Sequence, residues 1–325
     1  PVAPSWAVQA TPKAIALLER ALLAARLTPY SGIQFMTSWN DDAAESVVVH
    51  VEHVVGQDSV VELLEAPADG DVGGVPSSSV PMAVPSTADG GLLALISARY
   101  RLTVAGVDRV AGRTTRIVEA RRPDGSLAAR WWLDTMTGLV LRHEVMDGRG
   151  RIARAAVFLS VQIRPANSFP VARMLPPAWN EVLGGADLGR WRGAGYAILD
   201  RLPGGFALLT ARLGSSAGGE LLHLGYSDGL SSVSVFEQQG RLDVAGLRGW
   251  VQATVGGVTV WAHPGLSQRL SWSGPGVVYS IVTDATSQEV AAVVRALPHG
   301  ERHRGLWSRL VHGLSRIGSW FNPFG

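Results

Sequence analysis

The sequence contains no cysteine, which excludes disulfides, thiolate metal sites and cysteine nucleophiles. Lys13 is its only lysine, so 28 of the 29 basic residues are arginine, and a phosphate-binding loop that depends on lysine is excluded as well. Charged residues make up only 17% of the chain, and the formal net charge of +2 is too small for an electrostatic footprint on nucleic acid. No apolar run reaches the roughly 18–20 residues that span a bilayer.

The length and the hydrophobic content are sufficient for two folded domains. The chain has 325 residues, of which 46% are hydrophobic, so each domain can bury its own core. The abundance of Arg, Gly, Ala and Val is typical of a high-GC genome, which makes the pI of about 9.3 weak evidence for a nucleic-acid partner. Because the chain begins with Pro1, we expect any export signal or membrane anchor to lie upstream.

Residues 10–165 predict a mostly antiparallel sheet with covering helices. Pro12–Leu27 has a helical apolar stripe, and 92–98 predicts a second, shorter helix. The stretch Tyr100–Ile163 contains five strand-like runs separated by short turns. The turn dipeptides are Asp124-Gly125, Thr137-Gly138 and Asp147-Gly148. A meander of this kind needs a second layer over its apolar face, and the two helices supply it.

The rest of the chain divides by composition. Residues 66–91 are rich in Pro, Gly, Ser and Asp and predict a long loop, while 166–195 is irregular and predicts an interdomain linker. Residues 196–298 predict a smaller β-rich domain that ends in a helix from about Ser287 to Leu297. Residues 299–325 predict an amphipathic basic tail. The predicted fold class is therefore α+β, mostly antiparallel β.

No group of residues has the spacing of a catalytic or metal site. His50 and His53 are three apart on a predicted strand, so their side chains point to opposite faces and cannot share a metal. A nucleophile elbow is absent from the sequence. Paired carboxylates stay open as an alternative, although Glu119 and Glu144 fit the solvent face of the sheet. We predict a non-enzymatic protein with no catalytic residue, metal or cofactor, which acts by binding a partner.

Aromatic residues on one strand suggest a binding surface. Trp131 and Trp132 are adjacent, so they point to opposite faces, and at least one leaves the core side or lines a groove. One interpretation places Trp131 in the core and Trp132 under a loop. The other makes them a wall of an apolar cavity.

The tail allows two readings. Its apolar stripe includes Trp307, Leu310, Leu314 and Trp320, and arginines accompany it. The stripe predicts either a terminal helix docked on the body or a helix that binds a membrane surface or a partner.

Two segments resemble the RseB/MucB family of sigma-factor regulatory proteins, with the composition of an actinobacterial-type member. The first carries V-A-G-R at Val110–Arg113, R-x-D-G at Arg122–Gly125 and W-x-D-x-x-T-G-L at Trp132–Leu139. The second, Tyr226–Gln238, begins with Y-S-D-G-L and resembles the smaller C-terminal domain of that family. The two matches come in the order the family has, and the resemblance covers roughly 10–298, with the tail and the 66–91 loop outside it.

The resemblance implies an N-terminal domain like the lipoprotein carriers LolA and LolB, an unclosed half-barrel over helices, followed by a MucB/RseB-type C-terminal domain. Family members lie outside the cytoplasmic membrane and bind the extracytoplasmic segment of a membrane anti-sigma factor. Binding shields that factor from a protease, and a lipidic or envelope-stress signal displaces the regulator. The resemblance thus implies a periplasmic or envelope-located negative regulator of an envelope-stress sigma factor. The alternative is an envelope carrier of lipid or lipoprotein.

Two further sets of residues are candidates for binding. The partner-contact candidates lie in the second matched segment: Tyr226, Ser227, Asp228, Gly229 and Leu230. The candidates for a concave apolar face, which would accept a partner segment or an acyl chain, lie in the first domain: Ile33, Phe35, Tyr100, Leu102, Trp131, Leu133 and Leu141. For every one of them an ordinary role in the core or in a turn is the alternative.

Overall fold

The structure is a computed structural model, and it describes eight stretches of the chain. These stretches are 11–40, 43–55, 59–65, 80–82, 89–163, 179–216, 219–263 and 265–300. Two compact units divide the chain at residues 174 and 175. The tail candidates Trp307, Leu310, Leu314 and Trp320, and most of the predicted 66–91 loop, lie outside the described residues.

The first unit is built on a nine-stranded antiparallel sheet. The strands are β1 (Tyr30–Asn40), β2 (Ala43–His53), β3 (Ser59–Glu65), β4 (Val80–Met82), β5 (Arg101–Val110), β6 (Arg113–Arg121), β7 (Leu127–Asp134), β8 (Val140–Met146) and β9 (Ile152–Ile163). Their spatial order is β4-β3-β2-β1-β9-β8-β7-β6-β5. The five runs predicted between Tyr100 and Ile163 are confirmed as β5–β9. Strand β5 extends to a turn at Ala111-Gly112, where both residues have positive φ.

Two helices pack in the first unit. Helix α1 (Pro12–Leu27) begins with proline at its first turn, as predicted, and contacts β5, β6 and the second helix. The buried side of α1 is mostly alanine, which lets the helix approach closely, whereas Leu23 is 56% exposed. Helix α2 (Asp89–Arg99) contains the predicted 92–98 segment.

The first sheet is strongly curved. Strands β5 and β9 approach each other although three strands separate them in the sheet order. Among the described strands, β4 and β5 form the two ends of the sheet, which therefore does not close into a barrel. The mostly antiparallel, half-barrel fold class predicted for this unit is confirmed.

The described residues of the second unit form another antiparallel sheet and two α-helices. Its main strands are β10 (Trp179–Val182), β12 (Phe206–Ser216), β13 (Gly219–Ser227), β14 (Ser232–Gln239), β15 (Val251–Val255), β16 (Val258–His263), β17 (Gln268–Ser273) and β18 (Val277–Thr283), in the order β10-β12-β13-β14-β18-β17-β16-β15. The two-residue β11 (Arg201–Leu202) pairs with β12. Helix α3 spans Gly185–Gly193 and α4 spans Ser287–Ala296.

The predicted 166–195 linker contains part of this second unit. Strand β10 pairs with β12, and α3 follows it directly, so the second unit takes in residues before 196. The sequence did not indicate that the second unit starts before residue 196. The preceding residues 166–177 are rich in proline, and the strand that follows them is only four residues long. The predicted C-terminal helix is confirmed as α4, where Thr286 and Glu289 form a capping box.

Candidate functional site

One face of the first sheet is apolar and lies beneath the helices. Leu102 pairs with Ala120, and Val118 pairs with Trp131, which pairs in turn with His143. Directly paired residues share a face of a sheet. Leu102, Ala120, Val118 and Trp131 are all buried, and α1 packs on β5 and β6. We call this the helix-covered face.

The seven residues predicted to line the concave apolar face do not form one surface. Leu102, Trp131 and Leu133 follow the alternation of the helix-covered face, and Tyr100 is buried at the end of α2. Leu141 lies at the register shift between β7 and β8 and belongs to the core cluster of Trp132. Ile33 and Phe35 lie on the opposite face, because Phe35 pairs with Val157 and Val157 with Arg142. Strand β1 enters the sheet with its even-numbered residues toward the helices, a register that the sequence alone does not reveal. His50 and His53 point to opposite faces of the sheet, as predicted, because they pair with Ile33 and Tyr30 of β1, respectively.

A partly buried histidine lies on the helix-covered face beside Trp131. The rings of Trp131 and His143 stack in parallel, with centroids 5.3 Å apart. The Nε2 atom of His143 is buried and has no hydrogen-bond partner among the described residues. Burial, with a smaller contribution from Arg154, lowers the pKa of His143 to about 3, so the ring is neutral at physiological pH. A neutral, unsatisfied nitrogen in an apolar face can hydrogen-bond an uncharged group of a ligand.

The opposite face of the same sheet is covered by arginines. Trp132 is buried there beneath Arg142 and Arg130, whose guanidinium carbons lie 4.5 and 5.6 Å from its ring centroid. Its indole N–H donates to Asp108 over 2.9 Å. Trp131 and Trp132 therefore point to opposite faces, as predicted, and Trp132 is covered by side chains of its own sheet.

Two glutamates on this arginine-covered face are buried in ion pairs. Glu119 accepts hydrogen bonds from Arg130 and Arg121, each with a shortest distance of 2.7 Å, and Glu144 pairs with Arg142. From the sequence, we predicted that both glutamates lie on the solvent face of the sheet. The structure places them on that face but beneath the arginine side chains. Each carboxylate is neutralised by a partner, which is a structural arrangement rather than that of a free acid or base.

The residues that carry the family resemblance in the first unit occupy its turns. Arg122 donates to the carbonyls of Leu127 and Met146 and ties two hairpins together. Asp134 accepts two hydrogen bonds from Arg113 and two from Thr137. The three sequence motifs therefore specify hairpin turns and their connections.

The turn predicted to contact a partner is largely buried. Tyr226, Ser227, Asp228 and Gly229 are buried, and Leu230 is partly exposed. Asp228 accepts hydrogen bonds from the backbone N–H groups of Leu230 and Ser231, and the N–H of Gly229 donates to Ser227. These bonds hold the connection between β13 and β14, so Leu230 is the member of the set with side-chain surface for a partner.

A buried glutamate lies on the core face of the second sheet. Glu237 of β14 is 0% exposed and faces the core between its sheet neighbours Leu222 and Tyr279. Its Oε2 accepts the backbone N–H of Ala197 over 2.8 Å, and its Oε1 has no hydrogen-bond partner in the described part of the chain. Burial raises the pKa of Glu237 to about 7, partly offset by the bond from Ala197.

Sequence reasoning did not identify Glu237 or His143, although a signal for Glu237 was present. Val233, Val235 and Glu237 alternate on β14, so the glutamate occupies a core position in the pattern. His143 gave no such signal, because it lies between Arg142 and Glu144, and its face became clear only from the register.

The second unit also contains a surface cavity of about 550 Å³. Trp261 and Trp272 line it together with Arg241 and His299. Within the described residues no three His, Cys, Asp or Glu side chains cluster as metal ligands. None of the described helices is both long and apolar enough to cross a membrane.

A family model matches part of the chain directly. Residues 72–179 match the MucB/RseB N-terminal domain, which confirms the family resemblance stated from the sequence. The match includes strands β5–β9 and the three motifs that form their turns. No curated protein sequence matches this chain.

Several solved structures are similar to this chain in fold. A crystal structure of MucB has 19% identity and a TM-score of 0.48, and the match covers 89% of this chain and 99% of that one. The complex of MucA and MucB from Pseudomonas aeruginosa has 18% identity and a TM-score of 0.46 with the same coverages. The lipoprotein LppX of Mycobacterium tuberculosis has 14% identity and a TM-score of 0.28, covering 50% of this chain and 99% of that one.

Proposed function

Because the chain contains a MucB/RseB N-terminal domain over residues 72–179, we propose that the protein is an extracytoplasmic negative regulator of an envelope-stress sigma factor. It acts by binding the outer segment of a membrane anti-sigma factor and shielding that segment from proteolysis. The main support for this proposal is the match of residues 72–179 to the MucB/RseB N-terminal domain. Similar solved structures include MucB in complex with MucA(peri). The chemistry of the described residues agrees with a binding role, since the buried carboxylates of the first sheet are paired with arginine.

Calorimetric titration with the extracytoplasmic domain of the anti-sigma factor encoded beside this chain tests the proposal. We expect saturable binding with a Kd of roughly micromolar or tighter. Leu230→Ala is expected to weaken binding by about tenfold, because a truncated interface leucine costs on the order of 1–2 kcal/mol. Leu247→Ala, at a partly exposed position of the same unit, is the matched control. Absence of binding by well-folded protein contradicts the regulator proposal.

We further propose that a lipid displaces the anti-sigma segment from this protein. The helix-covered face offers apolar side chains and the unsatisfied Nε2 of His143, a combination that suits an acyl chain with an uncharged polar head group. Adding such a lipid to the titration is expected to weaken binding of the anti-sigma domain. If lipid is bound with no affinity for the anti-sigma domain, the protein is instead an envelope carrier of lipid or lipoprotein.

The tail is proposed to add a membrane contact. Its apolar stripe and its arginines suit the surface of an anionic bilayer, and such binding weakens with salt. Deleting 301–325 is expected to abolish co-sedimentation with anionic vesicles, while binding to the anti-sigma domain is retained. Unchanged vesicle binding after the deletion contradicts this proposal.

A further inference from the structure

The ends of the two sheets differ in how they are protected against pairing. The first sheet ends at β4, which contains Pro81, and at β5, which contains Arg101 and Arg109. One end of the second sheet is β10, which contains Glu181. Proline and charged residues on an edge strand oppose the addition of another strand. The remaining end is β15, with the sequence V-Q-A-T-V, and it contains neither.

The hydrogen-bonding phase of β15 follows from its hairpin with β16. Gly256 and Gly257 both have positive φ and form a two-residue turn, so Val255 and Val258 are a hydrogen-bonded pair. Alternation along an antiparallel ladder then directs the backbone N–H and C=O groups of Gln252 and Thr254 away from β16. Both residues are exposed, and within the described stretches only β16 pairs with this strand.

We propose that β15 pairs antiparallel with β15 of a second copy of this chain, about a two-fold axis through Ala253. The strand sequence is nearly palindromic, so this axis places Gln252 opposite Thr254 of the second copy. These are the two residues whose backbone groups point outward, and each such pair exchanges two hydrogen bonds. In this arrangement the backbone N–H and C=O groups of Gln252 and Thr254 on both strands form four hydrogen bonds. The interface uses the same residues on each copy, as a two-fold axis requires.

The side chains agree with the same axis. Val251 is 58% exposed, and the axis places it opposite Val255 of the second copy, so two apolar side chains cover each other. Gln252 and Thr254 meet on the other face as a neutral polar pair. A charge on β15 would come close to its own copy across the axis, and the strand has none.

The absence of cysteine makes a direct test of the geometry possible. Across the axis the two Ala253 residues form a non-hydrogen-bonded pair with Cα atoms about 4.5 Å apart, within the range that a disulfide bridges. Ala253→Cys is expected to give a disulfide-linked dimer under mild oxidation. Thr254→Cys is the matched control, because its Cα atoms would be about 9 Å apart and beyond disulfide reach. Equal cross-linking of the two variants, or none in either, overturns the proposal.

A second measurement leaves the core side of the strand untouched. Thr254→Pro removes an outward N–H that β16 does not use, and proline is tolerated on the open side of an edge strand. The wild-type protein is expected to show a concentration-dependent dimer by sedimentation equilibrium, with a several-fold weaker association for Thr254→Pro. The melting temperature is expected to be unchanged at concentrations where both proteins are monomeric. A wild-type chain that is monomeric at all concentrations, or a dimer that Thr254→Pro leaves unaltered, contradicts pairing through β15.

Discussion

Glu237→Gln is expected to stabilise the protein by about 3 kcal/mol at about pH 8 and to change its stability little at about pH 4. The carboxyl is fully buried, and burial raises its pKa from the ordinary 4.5 to about 7. Between these two values the unfolded chain releases its proton while the folded chain retains it, so stability falls as pH rises from 4.5 to 7. Glutamine cannot ionise and keeps an oxygen that accepts the N–H of Ala197.

The measurement is urea unfolding of both proteins at a series of pH values, with the difference between them plotted against pH. Taking the difference removes the contribution of the other carboxylates. Glu220→Gln, at an exposed position of the neighbouring strand β13, is the control and is expected to change stability by less than about 0.5 kcal/mol at any pH. A pH-independent difference between Glu237→Gln and wild type contradicts the buried-acid interpretation.

Among the described residues, no charged group shifts the pKa of Glu237, whose carboxyl is surrounded by apolar and phenolic side chains. Tyr279 lies beside it in the sheet, and Tyr196 and Tyr226 lie close enough that Glu237 contributes to the raised pKa of each phenol, after burial as the main cause. None of these neighbours is a cation. The segment that contains Ala197 thus docks on the sheet through a carboxyl that prefers to be protonated.

The architecture of the first unit was largely predictable because the turns between its strands have explicit sequence signals. The dipeptides Asp124-Gly125, Thr137-Gly138 and Asp147-Gly148 each separate two observed strands. Local turn chemistry defines such boundaries without information from distant residues. The order of β1 beside β9 is a long-range pairing, and local sequence carries no signal for it.

The candidate site was less predictable, because faces depend on register. Phe35 is as apolar as Leu102, yet the two residues lie on opposite faces of one sheet. A shift of one residue reverses every side chain of a strand, and β1 tolerates either choice because both of its faces contain apolar residues. The Tyr226–Leu230 turn shows a related limit. Its family match was read from residue types, whereas the structure uses most of those side chains within the turn itself.

Asp134→Ala is expected to destabilise the protein by about 3 kcal/mol. Asp134 lies in the W-x-D-x-x-T-G-L motif, and its side chain is 1% exposed. Its two oxygens accept from Nε and Nη2 of Arg113, each over 2.9 Å, and from the backbone N–H and the hydroxyl of Thr137 over 2.9 and 2.8 Å. Although burial raises it, these bonds hold the pKa of Asp134 below its usual value. The contribution is therefore present at neutral pH and is lost as pH falls through the lowered pKa.

Asp147→Ala is the matched control for this prediction. Asp147 also accepts hydrogen bonds in a hairpin turn and pairs with Arg151 over 3.0 Å, but that arginine is 59% exposed. Water replaces its contacts readily, so the expected loss is about 1 kcal/mol or less. Thermal and urea unfolding at neutral pH measure both variants. In both turns an aspartate accepts a backbone N–H and pairs with an arginine, and the two turns differ in burial, so equal losses would show that burial does not set the strength of the Asp134 interactions.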